Sequence, residues 1–183
     1  LGNLYWGKGD YGSADWYLKN SMTHRDMGFG PQADARRLID LLYFNHGNAE
    51  KIPYIIFGAG RDITAGSVDY LLGASNHIDV VVSPVRLKGI ERWAGSGTMH
   101  KCLETLAMHE FGHILGAAEE RRYGSGGEKD ERDVNLYNKH CNNICVMRQG
   151  LTPEDWVEYA REWMRIGTSF CKECRQDMAR HVA

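Results

Sequence analysis

The feature that most restricts this chain is the run His109-Glu110-Phe111-Gly112-His113. Two histidines four residues apart stand one above the other when the backbone between them is helical. The surroundings predict such a helix over 99–115, entered through Gly95-Ser96-Gly97-Thr98. One face would carry Cys102, Leu106, His109 and His113, the other Leu103, Ala107, Phe111 and Ile114. Two apolar faces predict a central helix buried on both sides. Gly116 is placed to end it in the left-handed conformation.

Burying two imidazoles and a carboxylate costs several kcal/mol unless hydrogen bonds or a metal satisfy them. H-E-x-x-H also arises by chance, as a buried helix with two hydrogen-bonded histidines, and the apolar setting argues against that. On one helix face, His109 and His113 can both reach a single Zn²⁺. Glu110, one residue on from His109, can reach a water on that metal. Zinc lowers the water's pKa and polarises a scissile carbonyl, and the carboxylate takes the proton and passes it to the leaving amine. A catalytic zinc needs a third protein ligand and an open position. Glu119, three residues past Gly116, and His140 are both candidates.

Of the five cysteines, Cys141 and Cys145 form C-x3-C and Cys171 and Cys174 form C-x2-C, while Cys102 stands apart. Short pairs of this kind read as a metal site more readily than as disulfides. They favour a reducing compartment, so a cytoplasmic location is expected.

The chain has 183 residues, 43% hydrophobic and 25% charged, with a net charge of -2. That is the profile of a soluble globular protein with room for one domain or two small lobes. The charge balance points to no nucleic-acid partner. No apolar run approaches the roughly 18 residues of a membrane span. The start, Leu1-Gly2-Asn3-Leu4-Tyr5-Trp6, has no basic region, signal core or initiator Met, as in a chain processed or cut from something longer.

Residues 1–30 predict a strand or two and loops. Gly30-Pro31 predicts the opening of a helix over 33–44, with Leu38, Leu41 and Leu42 on its apolar face. Strands are expected at 52–57 and 78–82, and a turn with a short helix at 62–73. The charged, glycine-rich stretch 119–133 predicts an exposed loop. Thr152-Pro153-Glu154-Asp155 predicts a capped helix start, with Trp156, Ala160 and Trp163 sharing a face.

Taken together, His109-Glu-Phe-Gly-His113-Ile-Leu-Gly116, His140-Cys141-Asn-Asn-Ile-Cys145-Val-Met147 and Cys171-Lys-Glu-Cys174 resemble the archaemetzincins, a metzincin family of zinc peptidases. That family's signature is H-E-x-x-H-x-x-G-x-x-H followed directly by C-x4-C-x-M and a later C-x-x-C. A fainter likeness covers Val81-Val-Ser-Pro-Val-Arg-Leu87, and the first 50 residues carry little of it. The chain departs from the pattern in two ways. Position 119 holds Glu where the third histidine would stand, and three residues rather than four separate the first two cysteines. An insertion over 119–139 accounts for the first departure, because loop closure entropy grows only slowly with length.

The resemblance implies His109, His113 and His140 on a catalytic zinc, with Glu119 as the alternative third ligand. It implies Glu110 as general base, and Cys141, Cys145, Cys171 and Cys174 on a structural zinc. Met147 would form the Met-turn beneath the catalytic zinc. Two Zn²⁺ per chain follow. The fold it implies is an α/β (α+β) metzincin-like domain over 1–183. Its N-terminal subdomain, 1–116, holds a twisted mixed sheet and the active-site helix. Its C-terminal subdomain, 140–183, holds the Met-turn, a helix and the structural zinc. The partner is a peptide or protein substrate, extended along an edge strand, and a monomer is expected. The competing reading is a zinc-stabilised binding or regulatory protein with weak or absent peptidase activity. Tyr123, Tyr137 and Tyr159 are candidate oxyanion stabilisers, and His24, His46, His77, His100 and His181 read as surface or capping residues.

Overall fold

The computed structural model describes residues 14–23, 30–42, 56–58, 61–65, 68–76, 79–89, 91–118, 134–135, 140–141, 143–150 and 152–182. The chain divides into two compact units, Leu1–Arg86 and Leu87–Ala183.

In the first unit, α1 (Ala14–Ser21) is a helix where strands and loops are expected. Asp15 in its first turn and Lys19 in its last complement the helix dipole, and Tyr17 is buried. The strand β1 (Ala33–Asp34) leads into α2 (Ala35–Leu42). This helix opens later than Pro31 would set it. Asp34 Oδ1 accepts the Arg37 N–H at 3.1 Å, so Asp34 is the cap and Pro31 stays in the approach. Leu38, Ile39 and Leu42 are buried along α2, following the helical period.

Among the described residues, this unit also holds two small mixed sheets. One runs β2 (Ile56–Gly58), β6 (Asp79–Val82), β5 (Gly73–Asn76), with β2 and β6 parallel and β5 antiparallel to β6. The other runs β1, β3 (Ile63–Ala65), β4 (Val68–Leu71), with β1 and β3 parallel and β3 and β4 antiparallel. Among its described residues, the stretch 62–73 therefore forms strand rather than the expected short helix. Its β-branched and aromatic residues suit a pleated surface, and pairing with neighbouring strands decides the outcome. Arg86 forks onto both Asp62 carboxylate oxygens at 2.9 and 3.2 Å, anchoring the entry to β3. Tyr17, Leu38, Ile39, Leu42, Ile63 and Val81 form the core.

The second unit follows a short helix, α3 (Val85–Lys88), at the boundary. It contains α4 (Glu91–Ala94), α5 (Ser96–Ile114), β7 (Val134–Asn135), β8 (His140–Cys141), α6 (Pro153–Ile166) and α7 (Lys172–Val182). The helix read over 99–115 is α5. It lies within the second compact unit. On the face read as carrying the histidines, Cys102, Leu106 and His109 are buried and His113 is half-buried, while Leu103, Ala107, Phe111 and Ile114 on the other are all half-buried. The histidine face of α5 is thus covered except at His113 and the other in part, as much of any protein surface remains apolar.

The end of α5 is closed by two backbone bonds, Gly116 N–H to His113 O at 3.1 Å and Ala117 N–H to Gly112 O at 2.9 Å. This Schellman arrangement needs a left-handed residue at Gly116, whose φ is +77°. A Cβ there would also collide with the His181 ring on α7.

α6 packs along α5. Its start carries a reciprocal capping box. Thr152 Oγ1 accepts the Asp155 N–H at 3.2 Å, and Asp155 Oδ2 accepts the Thr152 N–H at 2.9 Å. Trp156, Val157, Ala160 and Trp163 form its buried face. The helix α7 has no counterpart in the sequence reading. Among the described residues no helix is long and apolar enough to cross a membrane.

Candidate metal centres

His109 and His113 project from the last turns of α5, their ring centroids 5.0 Å apart. His140, carried on β8, stacks on His109 at 4.9 Å and meets His113 edge-on at 5.2 Å. One ligand nitrogen from each of the three lies within 4.8 Å of the others. His109 Nδ1 is 2.7 Å from the Val146 carbonyl oxygen. A carbonyl only accepts, so Nδ1 carries the proton and Nε2 keeps its lone pair. That lone pair faces His140 Nε2 at 3.0 Å. Tetrahedral zinc with bonds of about 2.0–2.1 Å spaces two ligand nitrogens by about 3.3 Å. The donor set and its spacing fit a divalent ion of this kind.

Burial pushes the His109 pKa well below the ordinary histidine value, and the charges that His113 and His140 would carry push it further. The ring is therefore neutral at neutral pH, the form a metal needs. Glu110, the next residue on α5, is also buried.

A second cluster lies in the same unit. Cys141 on β8, Cys145, Cys171 and Cys174 on α7 bring their sulfurs within 4.8 Å of one another. None forms a disulfide. Cys141 and Cys171 Sγ are 3.7 Å apart, and Cys145 and Cys174 Sγ 3.5 Å. Tetrahedral zinc at about 2.3 Å sets sulfurs about 3.8 Å apart. The Cys171 N–H donates to Cys145 Sγ at 3.2 Å, and the Cys174 N–H to Cys171 Sγ at 3.4 Å. Such donors favour the thiolate a metal requires. Hydrogen bonds share protons among the four thiols, pushing Cys141 and Cys171 below the usual range and Cys145 and Cys174 above it.

The segment between the clusters is a tight turn. Cys141 N–H donates to Met147 O at 2.8 Å, and Arg148 N–H to Cys145 O at 2.9 Å. Met147 is fully buried against Gly112 of α5. A Cβ at position 112 would collide with Met147 Sδ and lie 2.8 Å from Phe170 Cε1, so only glycine lets the two come so close.

Other sequence candidates fall elsewhere. Glu119, Tyr123, Tyr137, His24, His46, His77 and most of the 119–139 insertion lie outside the described residues. Tyr159 donates its hydroxyl to Gln149 O at 2.9 Å. His100 and His181 are exposed. Cys102 donates to Trp156 O at 3.3 Å, and burial pushes its thiol up to about 11, so it is no reactive thiolate. Sequence reasoning missed three contributors: the Val146 carbonyl, Gly112 and Trp156, whose ring meets His109 edge-on at 5.3 Å. Gly112, within the histidine motif, was the one with a visible signal.

No family model matches the sequence, and no curated protein does. Three solved structures are similar to it. An archaemetzincin from Methanopyrus kandleri is 18% identical, with a TM-score of 0.52 over 82% of this chain. The chain has the archaemetzincin fold. An archaemetzincin from Archaeoglobus fulgidus complexed with malonate is 23% identical (TM-score 0.49, 80% of this chain). A zinc-dependent peptidase from Methanocorpusculum labreanum is 20% identical (TM-score 0.47, 76% of this chain). The chain spans 66%, 69% and 60% of the lengths of these three proteins.

Proposed function

We propose that this protein is a zinc-dependent peptidase acting on a peptide or protein substrate. The observation that carries the reading is the convergence of His109, His113 and His140, with His109 Nδ1 occupied by the Val146 carbonyl and its Nε2 turned to the shared centre. These three residues would hold the catalytic ion, with Glu119 as the alternative third ligand. Three ligands leave one position open, the pattern of catalytic rather than structural zinc. A Zn²⁺ held there supplies Lewis acidity, acidifying a water and polarising the scissile carbonyl.

The protein's own groups do the rest. Glu110 takes the proton of the attacking water on its carboxylate and delivers it to the leaving amine nitrogen, so the acid and base steps share one residue. Val146 O keeps His109 in the tautomer that binds through Nε2. Cys141, Cys145, Cys171 and Cys174 would hold a second, structural Zn²⁺ in a closed sulfur site. Met147, pressed against Gly112, would be the Met-turn, supporting the base of the histidine centre without ligating it.

The test is Glu110→Gln assayed on a mixed peptide library. It should lower turnover by about 10²–10⁴-fold, the range for a lost general base, while both ions stay bound. Wild-type turnover in the loaded variant overturns the role of Glu110. A wild-type protein that carries both ions and cleaves no peptide overturns the peptidase reading in favour of a zinc-stabilised binding protein.

A further inference from the structure

Resting on the reading of His109, His113 and His140 as a metal centre, we propose that Trp156 is a positioning residue for it: its indole fixes the His109 imidazole with Nε2 toward the shared ion. A histidine ligand can swing about its side-chain torsions, and each degree of freedom left open lowers affinity. The Nδ1–H bond to Val146 O gives His109 one pivot. His113 and His140 also touch the ring, but both would be drawn to the same ion and cannot hold it independently. The Trp156 ring, 5.3 Å away and inclined at 84°, is a wall that does not ligate.

Trp156 is itself held. Its backbone carbonyl accepts from Cys102 Sγ at 3.3 Å, and Cys102 lies on α5 two turns before His109. The capping box ending at Asp155 fixes the backbone one residue earlier. The indole also lies against Gly150, where a Cβ would come within 2.6 Å of Nε1 and 2.8 Å of Cε2. The indole N–H is buried and has no hydrogen-bond partner among the described residues. Shape, not a hydrogen bond, therefore places the ring, so phenylalanine should substitute for it and an aliphatic residue should not. Gly150→Ala is a second way to displace the indole without altering it.

The experiment measures Zn²⁺ affinity of the histidine centre by chelator competition, with the cysteine centre loaded. The visible spectrum is recorded with Co²⁺ at the histidine centre. Trp156→Leu and Gly150→Ala should each weaken Zn²⁺ binding at least about 10-fold, the lower end for outer-shell partners, and change the Co²⁺ bands. Trp156→Phe should restore most of both. Unchanged affinity and Co²⁺ bands in Trp156→Leu overturn the proposal. So does a Trp156→Phe protein that loses affinity as fully as Trp156→Leu, since the ring would then serve only general packing. A wild-type protein that binds no ion at the histidines, or a His109→Ala protein that binds as tightly as wild type, overturns the metal-centre reading itself and is seen before any change at Trp156.

Discussion

The two clusters of the second unit are built from different materials. The histidine cluster stands mainly on α5, a 19-residue helix whose geometry alone pairs His109 with His113. The cysteine cluster has no long element under it: its sulfurs come from a two-residue strand, a tight turn and the start of α7. Around it lies a small core of Ala117, Ala118, Met147 and the cysteines themselves. A helix can preform half a site, whereas turns cannot hold four sulfurs without something to bind them together. Yet the clusters share the segment 140–147. His140 adjoins Cys141, and the Val146 carbonyl that orients His109 sits between Cys145 and Met147. The dependence should therefore run one way, from cysteines to histidines.

The largest effect should come from Cys174→Ser. A structural zinc contributes on the order of 10–16 kcal/mol of apparent binding energy to folding, so its loss should unfasten residues 140–150. The variant should lose metal from both clusters, whereas His113→Ala should lose it from the histidines alone. Metal counted per chain checks this, and a Cys174→Ser protein with a fully loaded histidine centre breaks the comparison.

The next effect sharpens it at a single ligand. His140→Ala should weaken Zn²⁺ binding at the histidine centre by more than about 100-fold, beyond what outer-shell changes produce, with the cysteine-bound ion retained. Glu119→Ala should change it little. The opposite ranking, read by chelator competition, would make Glu119 the third ligand.

The smallest effect is on acid stability. Burial first, and the neighbouring histidines second, lower the His109 pKa in the fold, while in the unfolded chain it titrates near about 6.5. The stabilisation from keeping His109 neutral is full above that pH. Below it the unfolded chain takes up a proton that the fold resists, so stability falls as pH falls. With only the cysteine centre loaded, the denaturation midpoint should drop between pH 7 and 5, and His109→Gln should flatten that slope. A midpoint independent of pH in the unaltered protein would show that His109 titrates normally in the fold.

Much of the architecture near the clusters was legible from local rules. Helical spacing joined His109 to His113, Thr152-Pro153 with Asp155 announced the capped start of α6, and Gly116 marked the end of α5. Where the reading failed, local signals were weak and pairing decided. Within 62–73, β3 and β4 pair with each other, β3 also with β1, and the start of β5 with β6, and Asp34 rather than Pro31 set the start of α2. α7 escaped notice because its mean hydropathy is low, and it is held by Cys174 and by packing of Met178.

The sequence by itself determined which chemistry is on offer: two imidazoles one helical turn apart, a carboxylate beside the first, and two short cysteine pairs. These follow from spacing, because local backbone geometry sets which side chains face the same way over one turn. Only the tertiary structure decided what meets them. It set His140 against His109 across 31 positions of chain, aimed the Val146 carbonyl at Nδ1, seated Met147 in the gap left by Gly112, and leaned Trp156 on the His109 ring. Apart from the glycine inside the histidine motif, none of these contacts has a local signature. A backbone carbonyl is the same in every residue, and the absence of a Cβ matters only once another element packs into the space it leaves.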